Sequence, residues 1–122
     1  MIETFLANAE PSVPPVRLEH LHNFTGGNPA EDKKLCLSFL GQAGISLREL
    51  EQSCESGNNA EWRNAAHKLK GSAGNLGAFA LAGLCDEAER NADAPPQKKM
   101  DYVKNIRREL DSVQKFTASI AG

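Results

Sequence analysis

Apolar residues recur at every third or fourth position along most of this chain and no stretch alternates like a half-buried strand, so the pattern predicts an all-α protein. Three prolines between Pro11 and Pro15 cannot sit inside a helix. They leave residues 1–15 as an arm or a short capping helix and start the fold near Val16. A short helix from about Arg17 to Phe24 is expected to bury Leu18 and Leu21, with Gly26 and Gly27 ending it in the left-handed conformation. The next helix start is marked by Asn28 as N-cap, Pro29 at the first helical position and Glu31 three residues after the cap. From there to about Ser56, residues Cys36, Phe39, Leu40, Ala43, Leu47, Leu50 and Cys54 form one apolar stripe.

Gly57 stops that helix, and Asn58 with Glu61 repeats the cap pattern. A third helix carries Trp62, Ala66, Leu69, Ala73 and Leu76 at steps of four, three, four and three, and Gly77 ends it. A fourth, from about Phe79 to Asn91, is expected to bury Leu81, Leu84, Cys85 and Ala88. Pro95 and Pro96 open a fifth, which places Met100, Val103, Ile106, Leu110, Val113, Phe116 and Ile120 on one face. Four amphipathic helices joined by brief turns predict an antiparallel up-and-down four-helix bundle over residues 16–122, with a short additional N-terminal helix.

Composition narrows the function classes. At 122 residues the chain fits one domain with a modest core. Its net charge of −2, from 14 basic and 16 acidic residues, gives no positive field for a nucleic-acid backbone. No apolar run approaches the roughly 20 residues a membrane span needs. The cysteines, Cys36, Cys54 and Cys85, are odd in number and lie among apolar residues at helical spacing, where thiols act as small hydrophobes. The expectation is a cytoplasmic monomer that binds neither nucleic acid nor membrane. A metal site is not expected either: His20 and His22 are two apart and cannot share a helical face, and there is no HExxH or paired CxxC spacing.

The third helix carries the candidate chemistry. At about 100° per residue its buried stripe centres roughly 150° from His67, so the imidazole points outward, with Arg63, Asn64, Lys70, Gly71 and Gly74 within about 60° of it. Helical side chains lean toward the N-terminus, so residue 71 is the one that would cover His67, and glycine leaves the ring open. An interior glycine costs about 1 kcal/mol against alanine. Close helix packing could compensate for that loss, but not on a face turned away from the core. An open imidazole with an ammonium group one turn along suits phosphoryl transfer, which needs in-line access to a nucleophile and positive charge beside the phosphoryl oxygens. Histidine's ordinary pKa of about 6.5 keeps an exposed ring largely neutral near pH 7, so transfer is expected to weaken in acid.

The run His67-Lys68-Leu69-Lys70-Gly71-Ser72-Ala73-Gly74-Asn75-Leu76-Gly77-Ala78 resembles the signature of histidine-containing phosphotransfer (HPt) domains. The likeness continues through Gly26-Gly27-Asn28-Pro29 and through Leu81, Leu84, Cys85 and Glu89, and in helix order it covers about Val16 to the C-terminus. The resemblance implies a bundle whose histidine exchanges phosphate with receiver-domain aspartates, those of a hybrid sensor kinase and of a response regulator. It implies that the receiver supplies the magnesium ion, so no cofactor is bound by this chain. By position, His67 takes the phosphorylated role, Lys70 neutralises oxygens and Gly71 gives clearance. Arg63, Asn64, Lys68, Gly71 and Gly74 form the receiver-docking face, and Ser72 serves the backbone. Such a domain is a phosphocarrier more than an enzyme, and without a GxxxxGK[ST] cradle it is not expected to phosphorylate itself from ATP. The alternative is an adaptor that docks receivers without accepting phosphate, a role in which His67 framed by Lys70 and Gly71 has no purpose.

Overall fold

The computed structural model describes residues 14–120. Among them are five helices and no strand: α1 (Leu18–Thr25), α2 (Pro29–Ser56), α3 (Asn59–Leu76), α4 (Phe79–Arg90) and α5 (Pro96–Ser119). The expectation for residues 1–13 lies outside the described residues. Helix boundaries follow the chemistry of the ends. The Asn28 side chain accepts hydrogen bonds from the N–H groups of Ala30 at 2.9 Å and Glu31 at 3.3 Å, and Asn58 accepts one from Glu61 at 3.0 Å. Gly26, Gly57 and Gly77 close α1, α2 and α3 at φ of 74°, 74° and 95°, a region L side chains avoid.

α3 packs on α2 and α4, and α5 packs on the same two helices, which closes an antiparallel bundle in the order α2, α3, α4, α5. The opposed directions of α2 and α5 show in their contacts: the Cys54 thiol reaches the Pro96 carbonyl at 3.7 Å, whereas Lys33 reaches Ile120 at 3.3 Å. Trp62, Leu50, Leu69, Leu81 and Ile106 meet at the centre. All three cysteines are buried and free. Burial pushes the Cys85 thiol up to about 12, so it stays protonated and acts as an apolar filler.

α1 caps the end of the bundle where α3 gives way to α4. The Arg17 N–H donates to the Gly77 carbonyl at 2.9 Å, and a Cβ at Gly77 would lie 3.1 Å from the His20 Cβ, so this glycine answers both to backbone angle and to close approach. The cap is also tied to α2 through Asp32, whose buried carboxylate accepts from the Thr25 hydroxyl and lies 3.1 Å from His22 Nε2.

Three positions depart from the expected burial, Leu84 least of them, since it is partly buried against the core. Leu18 is 48% exposed, because an eight-residue cap touches the bundle along one narrow line; Leu21 takes it, and Val16, just before the helix, fills the remaining space. On α5, Met100 is 47% exposed and Lys99 is buried in its place. The seam Val103, Ile106, Val113 and Thr117 extends backward by a step of four to residue 99. The Lys99 stem lines the core while its ammonium sits 5.2 Å from the Trp62 ring centroid and donates to Asn59 Oδ1 at 2.6 Å.

The Trp62 indole N–H donates to the Ala88 carbonyl at 2.8 Å inside the core, pinning α3 against α4. Trp62→Phe removes that bond and part of the buried area. It is expected to lower stability by about 1–2 kcal/mol, read as a lower denaturant midpoint at unchanged slope.

Candidate functional site

α3 turns its stripe of Trp62, Ala66, Leu69 and Ala73 inward, which leaves His67 on the outer wall with its side chain 66% exposed. Arg63, Asn64 and Gly71 are exposed on the same side of the helix and Gly74 is partly so. Added Cβ atoms at Gly71 and Gly74 would meet nothing within 4 Å. Neither glycine therefore serves to admit a neighbouring helix. The space over the imidazole is open, as the spacing implied.

The ring is nonetheless held from one side. His67 Nδ1 lies 3.0 Å from Oε2 of Glu89 on α4. A carboxylate can only accept, so Nδ1 carries the proton and donates it; in the neutral ring Nε2 then holds the lone pair, pointing away from Glu89. Glu89 Oε1 is engaged too, 2.7 Å from Lys70 Nζ. Lys70 also reaches Asp86 Oδ1 at 3.4 Å, and Asp86 Oδ2 accepts from Arg90 Nε at 3.1 Å. A continuous polar chain thus runs from Arg90 through Asp86, Lys70 and Glu89 to His67, along a recess that Arg63 and Asp93 also line.

These contacts separate the expected site residues into groups. His67, Gly71 and Gly74 stand where the helical arithmetic put them. Lys70 shares their face, but its ammonium is drawn to the α4 carboxylates rather than left free. Lys68 turns to the other flank and pairs with Glu49 of α2 at 3.1 Å. Glu89, Asp86 and Arg90 were given no role by the sequence reading, although a signal for two of them was present. His67 and Glu89 each lie eleven residues from Ala78, and Lys70 and Asp86 each lie eight, so a tight helical hairpin about Gly77–Ala78 brings each pair face to face.

The charges reinforce one another. Hydrogen bonding to Lys70, and then to His67, holds the Glu89 carboxyl below its ordinary range, and Arg90, then Lys70, does the same for Asp86. The Glu89 contact raises Lys70. A depressed carboxylate adds stability above its unfolded value of about 4 and loses it as pH falls through the lower folded value; a raised lysine adds stability below about 10.4 and loses it as pH rises through the higher one. The network is expected to stay intact from about pH 5 to pH 10. Carbon-13 titration of the Glu89 carboxyl should give a midpoint below that of a free glutamate, and an ordinary or raised midpoint would contradict the geometry.

Among the described residues no helix is long and apolar enough to cross a membrane. No group of three or more His, Cys, Asp or Glu side chains among them is placed to hold a metal ion. The sequence profile of the Hpt domain matches residues 34–116. No curated protein sequence matches the chain significantly. Among solved structures, histidine-containing phosphotransfer protein B from Pseudomonas aeruginosa PAO1 is similar at 27% sequence identity and a TM-score of 0.78, over 88% of this chain and 94% of that one.

Proposed function

Since this chain belongs to the Hpt domain family, we propose that it is a phosphorelay carrier that accepts a phosphoryl group on His67 from a receiver-domain aspartate and passes it to a second receiver. The observation that carries this reading is an imidazole fixed by Glu89 at Nδ1 and open at Nε2, with bare backbone at Gly71 one turn along. The Nε2 lone pair attacks phosphorus, and the bond from phosphorus to the aspartate oxygen breaks, so the carboxylate leaves with that electron pair. The Nδ1 proton stays in place, and Glu89 offsets the positive charge that forms on the ring. Return of the phosphoryl group to another receiver reverses these steps.

Division of labour follows from what the chain has. His67 supplies the nucleophile, Lys70 positive charge for the phosphoryl oxygens and Gly71 the clearance. Arg63, Asn64, Lys68 and Gly74 belong to the wall a receiver would rest against. The receiver brings the aspartate, the magnesium ion and the rest of the catalytic groups. The donor and acceptor receivers are those of a hybrid sensor kinase and a response regulator.

The test is to charge receiver domains of the same organism with acetyl phosphate and magnesium, add this protein, and locate any phosphoryl group by nitrogen-15 and phosphorus-31 NMR. Acid-labile phosphate bonded to Nε2 of His67 is expected. Docking without phosphate on the protein would favour the adaptor, and phosphate on Nδ1 would contradict the role given to Glu89.

A further inference from the structure

Transfer as proposed asks Lys70 to face a phosphoryl group, yet its ammonium is already shared by two carboxylates, and the two contacts are unequal. Glu89 Oε1 lies at 2.7 Å, on a side chain only 20% exposed whose other oxygen holds His67. Asp86 Oδ1 lies at 3.4 Å, on a more exposed side chain whose other oxygen takes Arg90 at 3.1 Å. Pulling Lys70 off Glu89 strips a sheltered oxygen of its cation, the expensive case. When Lys70 leaves Asp86, that carboxylate keeps Arg90 and gains water. Giving up Asp86 is therefore the easier way for the ammonium to turn toward a new anion.

We infer that Asp86 is a positioning residue that sets how much of the Lys70 charge reaches phosphohistidine: it competes with the phosphoryl oxygens for the ammonium, and Arg90 restrains that competition by holding its other oxygen. The inference rests on the reading that His67 carries the phosphoryl group. A phosphoryl group adds roughly two negative charges beside a cluster in which Lys70 and Arg90 already balance Glu89 and Asp86. Any Lys70 charge drawn toward Asp86 is withheld from the phosphoryl group. Asp86 stays ionised throughout the neutral range, held low by Arg90 and Lys70, so its competition does not fade at working pH.

Asp86 and Arg90 should act with opposite signs and through one path. With receiver domains of the same organism charged by acetyl phosphate, the quantity read is the equilibrium share of phosphate on His67. Asp86→Asn is expected to raise that share about two- to fivefold, the range of a partly exposed ion pair, and Asp86→Glu to restore the native value. Arg90→Gln should lower the share in the native background and leave it unchanged in the Asp86→Asn background. The nitrogen-15 resonances of the His67 ring should match the native ones in Asp86→Asn, since its tether to Glu89 is untouched, and this separates repositioning of Lys70 from damage to the site. A native protein that takes no phosphate overturns the functional reading and this inference together. A labelled native protein with Asp86→Asn at the native share, or Arg90→Gln acting equally in both backgrounds, overturns the inference alone.

Discussion

His67→Gln is expected to take up no phosphate from a charged receiver while keeping the native denaturation midpoint within about 0.5 kcal/mol. The second half follows from position: the side chain is 66% exposed, and its one described polar contact is with Glu89. Glutamine can still offer an N–H to that carboxylate, so the α3–α4 contact survives in kind. The first half follows from the surroundings of the other nucleophiles. His20 is packed edge-on against Phe24 and Phe79, with ring centroids 5.6 and 5.1 Å away, and His22 is held by Asp32 at 3.1 Å; both belong to the capping helix rather than to the wall of α3. Cys36, Cys54 and Cys85 are buried. Neither Lys70 nor Lys68 competes, because an ammonium has no lone pair to attack with. Phosphate uptake is read by acid-labile radiolabel on the protein, and label persisting on the variant would move the chemistry elsewhere.

Capping chemistry is local, and it was legible. Asn28, Asn58, Gly26, Gly57 and Gly77 each act within a few residues of themselves, and each marks a helix end where the sequence put it. The outward direction of His67 was legible for a similar reason: a stripe of Trp62, Ala66, Leu69, Ala73 and Leu76 fixes the rotation of α3 without reference to any other helix. Met100 rather than Lys99 stood on the expected apolar face because hydropathy treats a lysine as one polar object, whereas its four-carbon stem can line a core if Trp62 and Asn59 receive the head group. Leu18 was misread because periodicity says which face is apolar but not how much of a short helix has anything to lie against. The polar chain from Arg90 to His67 is tertiary, and it depends on the register of α3 against α4. That register is available in the hairpin symmetry about Ala78 but absent from any single helix, so α3 by itself does not show that Lys70 has carboxylate partners on α4.

Gly71 carries the second large effect, and here stability and transfer should move in opposite directions. The residue is exposed, lies inside α3 and leaves open space where a Cβ would stand. A good helix former at this position should therefore stabilise the bundle by about 1 kcal/mol, the ordinary difference between glycine and alanine in a helix interior. Gly71→Ala should show that gain with modest loss of transfer, since one methyl group reaches little of the ring. Gly71→Gln should show a similar gain, but its longer side chain leans toward the N-terminus of α3 and covers His67. In-line transfer tolerates little displacement, and a shift of about 1 Å can cost 10²-fold, so Gly71→Gln is expected to slow phosphate uptake by about that factor. The rate from a charged receiver and the urea midpoint, measured on the same three proteins, decide the matter. If Gly71→Gln transfers at the native rate, clearance is not what the glycine provides. If both variants lose stability, the open space above α3 is not there, and the docking wall must be drawn differently.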